Sequence, residues 1–434
     1  MSLVQANRPS AVGEDYPAAP TLRPQPTSGR LVGVDVARGV ALIGIVVVNV
    51  LPAMTETGEP RLVWTLLGGR AAALFALIAG ISIALLSGGR RPPVGRAMTA
   101  NRAALALRAL IITGLGLLLG PTDTTVAIIL PYYGILFLLA VPLLGLGRRA
   151  LLVLAAGFAV LGPVAMQLVR VWWPDRPVVD DEYTFGLAAA HPGVFFTDML
   201  LTGFYPALPW LAYICVGLAV GRLDLTSRKV GLGLLGGGIA LAASMWILSL
   251  FLMDPGGGFE QLVASTPDLG RGEIAQMLVL GGEADAWDDA LPATTGWWLA
   301  ILAPYTSTPL TILQTLGTSL AALGAVLLAV PHLRRAASPL AAAGSMTLTL
   351  YCAHVVIQAA DILDSERPIM AIAIQCILFL LAAVLWQAAV GKGPLESIVA
   401  DATGWLRTLV RTGRRPAQAP DKRASGRRRQ NGAT

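Results

Sequence analysis

Several residues able to move protons or hold anions stand inside long apolar stretches of this 434-residue chain, where a polar group is costly and tends to face a protein interior or a wet cavity. In residues 31–52, LVGVDVARGVALIGIVVVNVLP, Asp35 and Arg38 lie one helical turn apart, and Asn49 follows Arg38 by eleven residues, three turns along nearly the same face. Arg70 stands in GGRAAALFALIAG behind Gly68 and Gly69. Thr347, Tyr351, His354, Gln358 and Asp361 recur at steps of four and three, a polar stripe along one helix face. His354 suits a general base, because imidazole titrates near neutral pH. Arg102 and Arg108 offer guanidinium forks that match phosphate oxygens, as a polyanion at a cytoplasmic mouth would require. Each residue alone also has a plainer reading: an interfacial ion pair for Asp35 and Arg38, packing for Asn49, snorkelling for Arg70, topology for Arg102 and Arg108, a hydrogen-bonded core histidine for His354. Asn49, Arg70 and His354 share the outer half of their spans, and together they read as a site reaching through the membrane.

The elements that must position these residues are membrane helices. Hydrophobic residues make up 55% of the chain and charged residues only 13%, against about a quarter charged in soluble domains. The mean hydropathy is +0.66. Apolar spans fall at about 31–53, 62–87, 103–120, 125–146, 150–171, 205–222, 230–252, 310–332, 339–362 and 369–390, each near the ~20 residues a helix needs to cross a bilayer. The expected fold is therefore all-α, a polytopic bundle of about ten spans. Arg90, Arg91, Arg96 and Arg102 follow the second span, Arg148 and Arg149 the fourth, Arg222, Arg228 and Lys229 the sixth, Arg334 and Arg335 the eighth. The alternate loops carry Asp180, Asp181 and Glu182, then Glu283, Asp285, Asp288 and Asp289, then Asp364 and Glu366. This asymmetry places both termini in the cytoplasm of a multi-pass plasma-membrane protein. The net charge of +6 resides in these loops and the tail, so it calls for no nucleic-acid partner.

Residues 1–29, rich in Pro and polar types, read as a disordered extension, and 413–434, with Arg427, Arg428 and Arg429, as a disordered basic tail. Between the bundle and the tail, 397–412 form an amphipathic segment expected on the cytoplasmic membrane surface. Two long outer loops, about 172–204 and 255–306, are functional or disordered by their length. Trp172, Trp173, Trp297 and Trp298 abut spans and read first as an interfacial belt, whereas Trp287 is open to stacking on a sugar. Pro131 followed by Tyr132 and Tyr133 breaks the fourth span, and Tyr205, Pro206, Pro209, Trp210 and Tyr213 repeat the theme in the sixth. Cys215, Cys352 and Cys376 lie in apolar stretches with no disulfide or metal spacing, so no metal is expected. Glycines at 231, 233, 236, 237 and 238 permit close helix contacts within one chain or across a homodimer.

Asp35-Val-Ala-Arg38-Gly39 with Asn49, Ile129-Leu130-Pro131-Tyr132-Tyr133-Gly134, Thr349-Leu350-Tyr351-Cys352-Ala353-His354 and Gly393-Pro394-Leu395-Glu396 together resemble the bacterial relatives of heparan-α-glucosaminide N-acetyltransferase, in the transmembrane acyltransferase superfamily. The resemblance runs from about Arg30 to Glu396, so residues 30–396 are expected to be the acyltransferase-like domain. It implies transfer of an acyl group, usually acetyl, from cytoplasmic acetyl-CoA to a sugar or lipid-linked glycan beyond the membrane. It also implies a catalytic histidine shortly after the first-span asparagine. This chain has Pro60 eleven residues past Asn49, with Glu56 and Glu59 nearby. His354, or failing it Glu56, is then the expected base, and Asn49 with Arg70 the donors to the developing oxyanion. Arg38, Arg102 and Arg108 are expected to hold the phosphates of the coenzyme, with Asp35 and Tyr351 in the same binding set. A carrier or flippase for a lipid-linked sugar or small metabolite is the competing class, favoured by paired broken helices.

Overall fold

Long apolar stretches with few helix breakers leave the backbone one way to satisfy its polar groups in lipid, and the computed structural model is helical throughout its membrane-length segments. It describes residues 31–122, 124, 126–173, 183–281, 291–363 and 367–413. In chain order the helices are α1 (Val32–Val50), α2 (Leu62–Leu67), α3 (Arg70–Leu86), α4 (Arg96–Leu119), α5 (Leu130–Ala140), α6 (Arg148–Trp172), α7 (Phe185–Ala190), α8 (Pro192–Thr197) and α9 (Ala207–Val220). They continue as α10 (Arg228–Met253), α11 (Gly258–Ser265), α12 (Arg271–Leu280), α13 (Pro309–Ala329), α14 (Ser338–Gly344), α15 (Thr347–Ala359), α16 (Pro368–Ala389) and α17 (Pro394–Thr412). Among the described residues the only β pairing is an isolated bridge between Met54 and Pro60.

Seven segments are long and apolar enough to cross a membrane, namely α1, α2 with α3, α4, α6, α10, α13 and α16. Two bent pairs raise the number to nine: Pro192–Thr202 with α9, bent by 51°, and α14 with α15, bent by 81°. The fourth expected span, at 125–146, is a shorter apolar helix, Leu130–Gly145, whose second part tightens to 3-10 geometry at Pro142.

Contacts between connecting segments sort them onto two faces. On one, Arg90 after α3 lies 3.7 Å from Asp224 after α9, and Arg222 donates to the Leu144 carbonyl at the end of the α5 segment. On the other, the end of α6 is tied to residues before α13 through Gln167 to Thr295 O and Arg170 to Leu291 O. The connections after the second, fourth and sixth expected spans thus share a side. The acidic residues at 180–182, 283–289 and 364–366 lie outside the described residues, as do Trp287, the N-terminal extension and the tail from 414 on.

The two long connections, about 172–204 and 255–306, carry helices of their own. Leu262, Ile274, Ile301 and Trp298 form a small core between α11, α12 and the turn Gly296–Ala300. Trp298 is fully buried there, its indole donating to Thr294 Oγ1, which corrects its placement in an interfacial belt: a local apolar cluster outcompetes the lipid interface for the ring. Trp172 and Trp173 stay exposed beside their span.

Close backbone approach sets the register of the segment that carries the site. A Cβ at Gly344, the last residue of α14, would collide with the backbone carbonyl of Asp35 on α1, and one at Gly39 with that of Leu340. Neither obstacle is a side chain that can rotate away. Gly344→Ala is expected to destabilise the protein by about 2–3 kcal/mol, since overpacking a tight crossing forces the backbones apart. Thermal unfolding of purified variant and wild type measures this, and an unchanged midpoint would mean the two helices are free to separate.

Candidate functional site

The ninth expected span is cut in two at Ser345 and Met346, and its broken ends are satisfied by side chains from elsewhere. A helix start leaves amides without partners, and Met346 has no side-chain oxygen with which to cap them. Glu396, at the start of α17, supplies the cap across 47 residues of sequence. Its Oε1 accepts from Leu348 N at 2.7 Å and Thr349 N at 3.1 Å, and its Oε2 accepts from Thr349 Oγ1 at 2.6 Å. At the other broken end, Arg38 on α1 donates to the terminal carbonyl Gly344 O at 2.9 Å. The anion therefore meets the positive end of α15 and the cation the negative end of α14, the favourable pairing with the helix dipoles. Arg38 also donates to Ser82 Oγ on α3 and lies 3.3 Å from Asp35, so it joins α1, α3 and α14.

Two turns along α15, His354 is fully buried between two amides. Its Nε2 is 3.2 Å from Asn49 Nδ2, and its Nδ1 is 3.0 Å from Gln375 Nε2 on α16. A neutral imidazole has one N–H and one lone pair, so one of these amides must turn its oxygen to the ring. Gln375 Oε1 is buried with no partner, which makes it the natural acceptor for an Nδ1–H. Such a bond would leave the lone pair on Nε2, facing Asn49. Asn49 and His354 were singled out from sequence, and the structure brings them together from helices 305 residues apart. Gln375 was missed. Its signal was the one polar side chain in AIAIQCILFL, an amide too costly to leave in hydrocarbon without a task.

The remaining predicted residues are spread along the bundle. Arg108 on α4 is part-buried within electrostatic range of Arg38 and Glu396, and makes no hydrogen bond or ion pair among the described residues. Arg102, two turns earlier, is exposed and passes near Gly145. Arg38 and Asn49 are eleven residues apart on α1, about 16 Å at helical rise, so the basic end and the imidazole lie about three turns apart along that helix. Arg70 opens α3 after the break at Gly69 and donates to Thr65 O at 2.6 Å, bonding to neither Asn49 nor His354. Glu56 is exposed on the turn closed by the Met54–Pro60 bridge. Tyr351 accepts from Ile129 N at 3.0 Å and donates to Ala127 O at 3.3 Å, which pins the entry to α5 beside the imidazole.

Aromatic rings fill the space beyond Tyr351. Tyr132 packs edge-on against both Tyr183 and Tyr205, and Phe204 stacks on Tyr305 with centroids 4.6 Å apart. The Tyr205 hydroxyl makes no hydrogen bond among the described residues, and the phenols of Tyr305, Tyr351, Tyr133 and Tyr132 surround it. Tyr305 and Ser307 hold left-handed backbone, with φ of 59° and 52°. Strain of this kind is sustained only where the surroundings over-determine it. Here Thr306, Thr308 and Thr311 do so, bonding to Ala303 O and Ile301 O and to one another. Among the described residues no group of three His, Cys, Asp or Glu side chains could hold a metal, and all three cysteines are free.

Comparison with known proteins adds one finding. No curated protein matches the sequence. A family model, heparan-alpha-glucosaminide N-acetyltransferase, catalytic, matches residues 30–247, from the start of α1 into α10. That match takes in Arg38, Asn49, Arg70, Arg102 and Arg108 and leaves His354, Gln375 and Glu396 beyond its end. It covers half of the chain, and with the apolar helices it makes this protein a membrane-embedded member of the heparan-alpha-glucosaminide N-acetyltransferase catalytic family.

Proposed function

We propose that the protein transfers an acetyl group from cytoplasmic acetyl-CoA to a sugar or lipid-linked glycan on the opposite side of the plasma membrane, with both termini in the cytoplasm. The observation that carries this reading is the buried imidazole of His354, held between two amides, in a bundle that also carries Arg108, which makes no hydrogen bond or ion pair among the described residues. A pantetheine chain has the reach of about four extended residues, roughly 14 Å. The rise from Arg38 to Asn49 along α1 is about 16 Å. Arg108, with Arg102 at the exposed rim, offers the phosphates charge and geometry, and Arg38 with Asp35 shapes the entry by holding α14 in place. Tyr351 flanks the passage. His354 Nε2 takes the proton of the acceptor while Gln375 keeps Nδ1 protonated. Asn49, displaced from the ring, donates to the oxygen where negative charge develops, and Arg70 lies at the outer side for an acceptor group. Glu56, on the outer turn, is the alternative base. In this arrangement 30–396 form the catalytic bundle, and α17 rests on the cytoplasmic surface with Ile398 and Trp405 exposed toward lipid.

The bend of 81° between α14 and α15 favours the competing reading, since carriers bind anionic substrates at the positive ends of broken helices. In this chain Glu396 already occupies that end. One assay separates the two. Acetyl-CoA at a hundred times its dissociation constant is expected to stabilise the purified full-length protein by about 2.7 kcal/mol, a rise of a few degrees in Tm, while acetate and ATP leave it unchanged. No shift with acetyl-CoA would remove the acetyltransferase reading.

A further inference from the structure

Arg222, just past the end of α9, is a cation only 8% exposed that none of the residues around His354 engages. It donates from Nη2 to Leu144 O at 2.9 Å. The carbonyl end of a helix carries about half an elementary charge, so this bond orients the guanidinium without neutralising it. The acid nearest in sequence, Asp224, is engaged elsewhere: Arg90 lies 3.7 Å from it, and the amide and hydroxyl of Thr226 both donate to it. Arg222 makes no ion pair and no second hydrogen bond among the described residues. Its Nε and Nη1 are not sealed in the interior, so they stay open to a ligand.

A second guanidinium stands at the next residue. Arg102 on α4 places Nη2 3.5 Å from where a Cβ on Gly145 would lie. Leu144 and Gly145 are chain neighbours, so the two anchor points are one peptide unit apart, about 3.8 Å between Cα atoms. Arg102 and Gly145 are both exposed, so the pair meets at the surface, and Arg102 too has no acidic partner among the described residues. Arg148 and Arg149 follow at once, both exposed, at the start of α6, where Gly147 supplies no side-chain cap. The positive end of that helix adds to the same field. Cations gathered this closely repel one another unless an anion joins them, and guanidinium forks match phosphate oxygens. We propose that Arg102 and Arg222 bind the phosphomonoester on the ribose of the coenzyme, a group of about −1.5 to −2 charge. Arg108, six residues further along α4 or about 9 Å, then serves the pyrophosphate. This assignment rests on the acetyl-CoA reading above and adds to it Arg222, whose place in the sequence marks only a basic connection.

The test titrates full-length protein in phosphatidylcholine nanodiscs with acetyl-CoA and with acetyl-dephospho-CoA, which lacks only that phosphate, and measures Kd by calorimetry. Wild-type protein is expected to bind acetyl-CoA roughly ten- to a hundredfold more tightly, the worth of one hydrogen bond to a charged group. Arg222→Gln and Arg102→Gln are each expected to cut that preference to about threefold or less by weakening acetyl-CoA alone. Arg102 is exposed, so its variant gives the answer even if loss of the Arg222 bond to Leu144 unfolds the other. Equal Kd values for the two ligands on wild-type protein would overturn the site and leave the acetyl-CoA reading standing, whereas failure of both to bind would remove the two together. Equal Kd values joined to an Arg222-dependent rise in Tm on adding phosphatidic acid to the nanodiscs would also overturn it, by giving the pair to a lipid headgroup.

Discussion

His354→Ala is expected to lower acetyl transfer by about a hundred- to ten-thousand-fold, the range a positioned general base contributes. The substitution removes the ring nitrogen facing Asn49, and among the described residues no other titratable side chain bonds to either amide. Binding of acetyl-CoA should survive, because the basic end of the passage lies about 16 Å away along α1. Turnover in membranes with labelled acetyl-CoA and a glucosamine acceptor, read beside the acetyl-CoA thermal shift, checks both halves. A variant that binds the donor and turns over like wild type would remove His354 from the chemistry and turn attention to Glu56. Gln375 enters as a positioning residue. Gln375→Leu frees the ring to take the other tautomer, so a fall in kcat with little change in KM for acetyl-CoA is the mark of lost orientation.

The second large effect is structural. Glu396→Ala removes the acceptor for two backbone amides and one hydroxyl at the broken start of α15. Unmet polar groups in a part-buried site cost about 1–3 kcal/mol each, and bonds to a charged group lie at the upper end. Destabilisation of about 3 kcal/mol is expected in the full-length protein, with Glu396→Gln intermediate because it keeps an acceptor oxygen without the charge. Differential scanning fluorimetry in nanodiscs orders the three proteins. Equal midpoints for wild type and alanine would show that water caps α15 as well as the carboxylate does. Because α15 carries His354, the alanine variant should also lose activity in proportion to the fraying of that helix.

The path from sequence to site was uneven, for physical reasons. Helix period and apolar run length are local properties, so most of the spans, the helix α17 and the polar stripes on α1 and α15 were legible, whereas the segment at 125–146 forms a helix shorter than the others. The pairing of Asn49 with His354 was only half legible: both stood out as costly polar groups in lipid, but which helices adjoin is not a local property. Arg38 shows the limit more sharply. Its guanidinium reads equally as a phosphate ligand or an ion-pair partner, and only the folded chain places Gly344 O and Ser82 within its reach. Trp298 was misplaced because the loop's own small core cannot be seen in a segment without clear period.

Composition and hydropathy by themselves determined that this chain crosses a membrane many times as helices and carries its rare polar residues at a cost that demands a use. They also preserved enough short motifs to point to the acetyltransferase family. The tertiary structure decided what those polar residues do for one another: Glu396 and Arg38 holding the two ends of a broken helix, and Gln375 setting the imidazole against Asn49. The reason is that burial and hydrogen bonding between distant helices depend on packing. A backbone carbonyl left open by a helix break has no signature in the residues that will come to cap it.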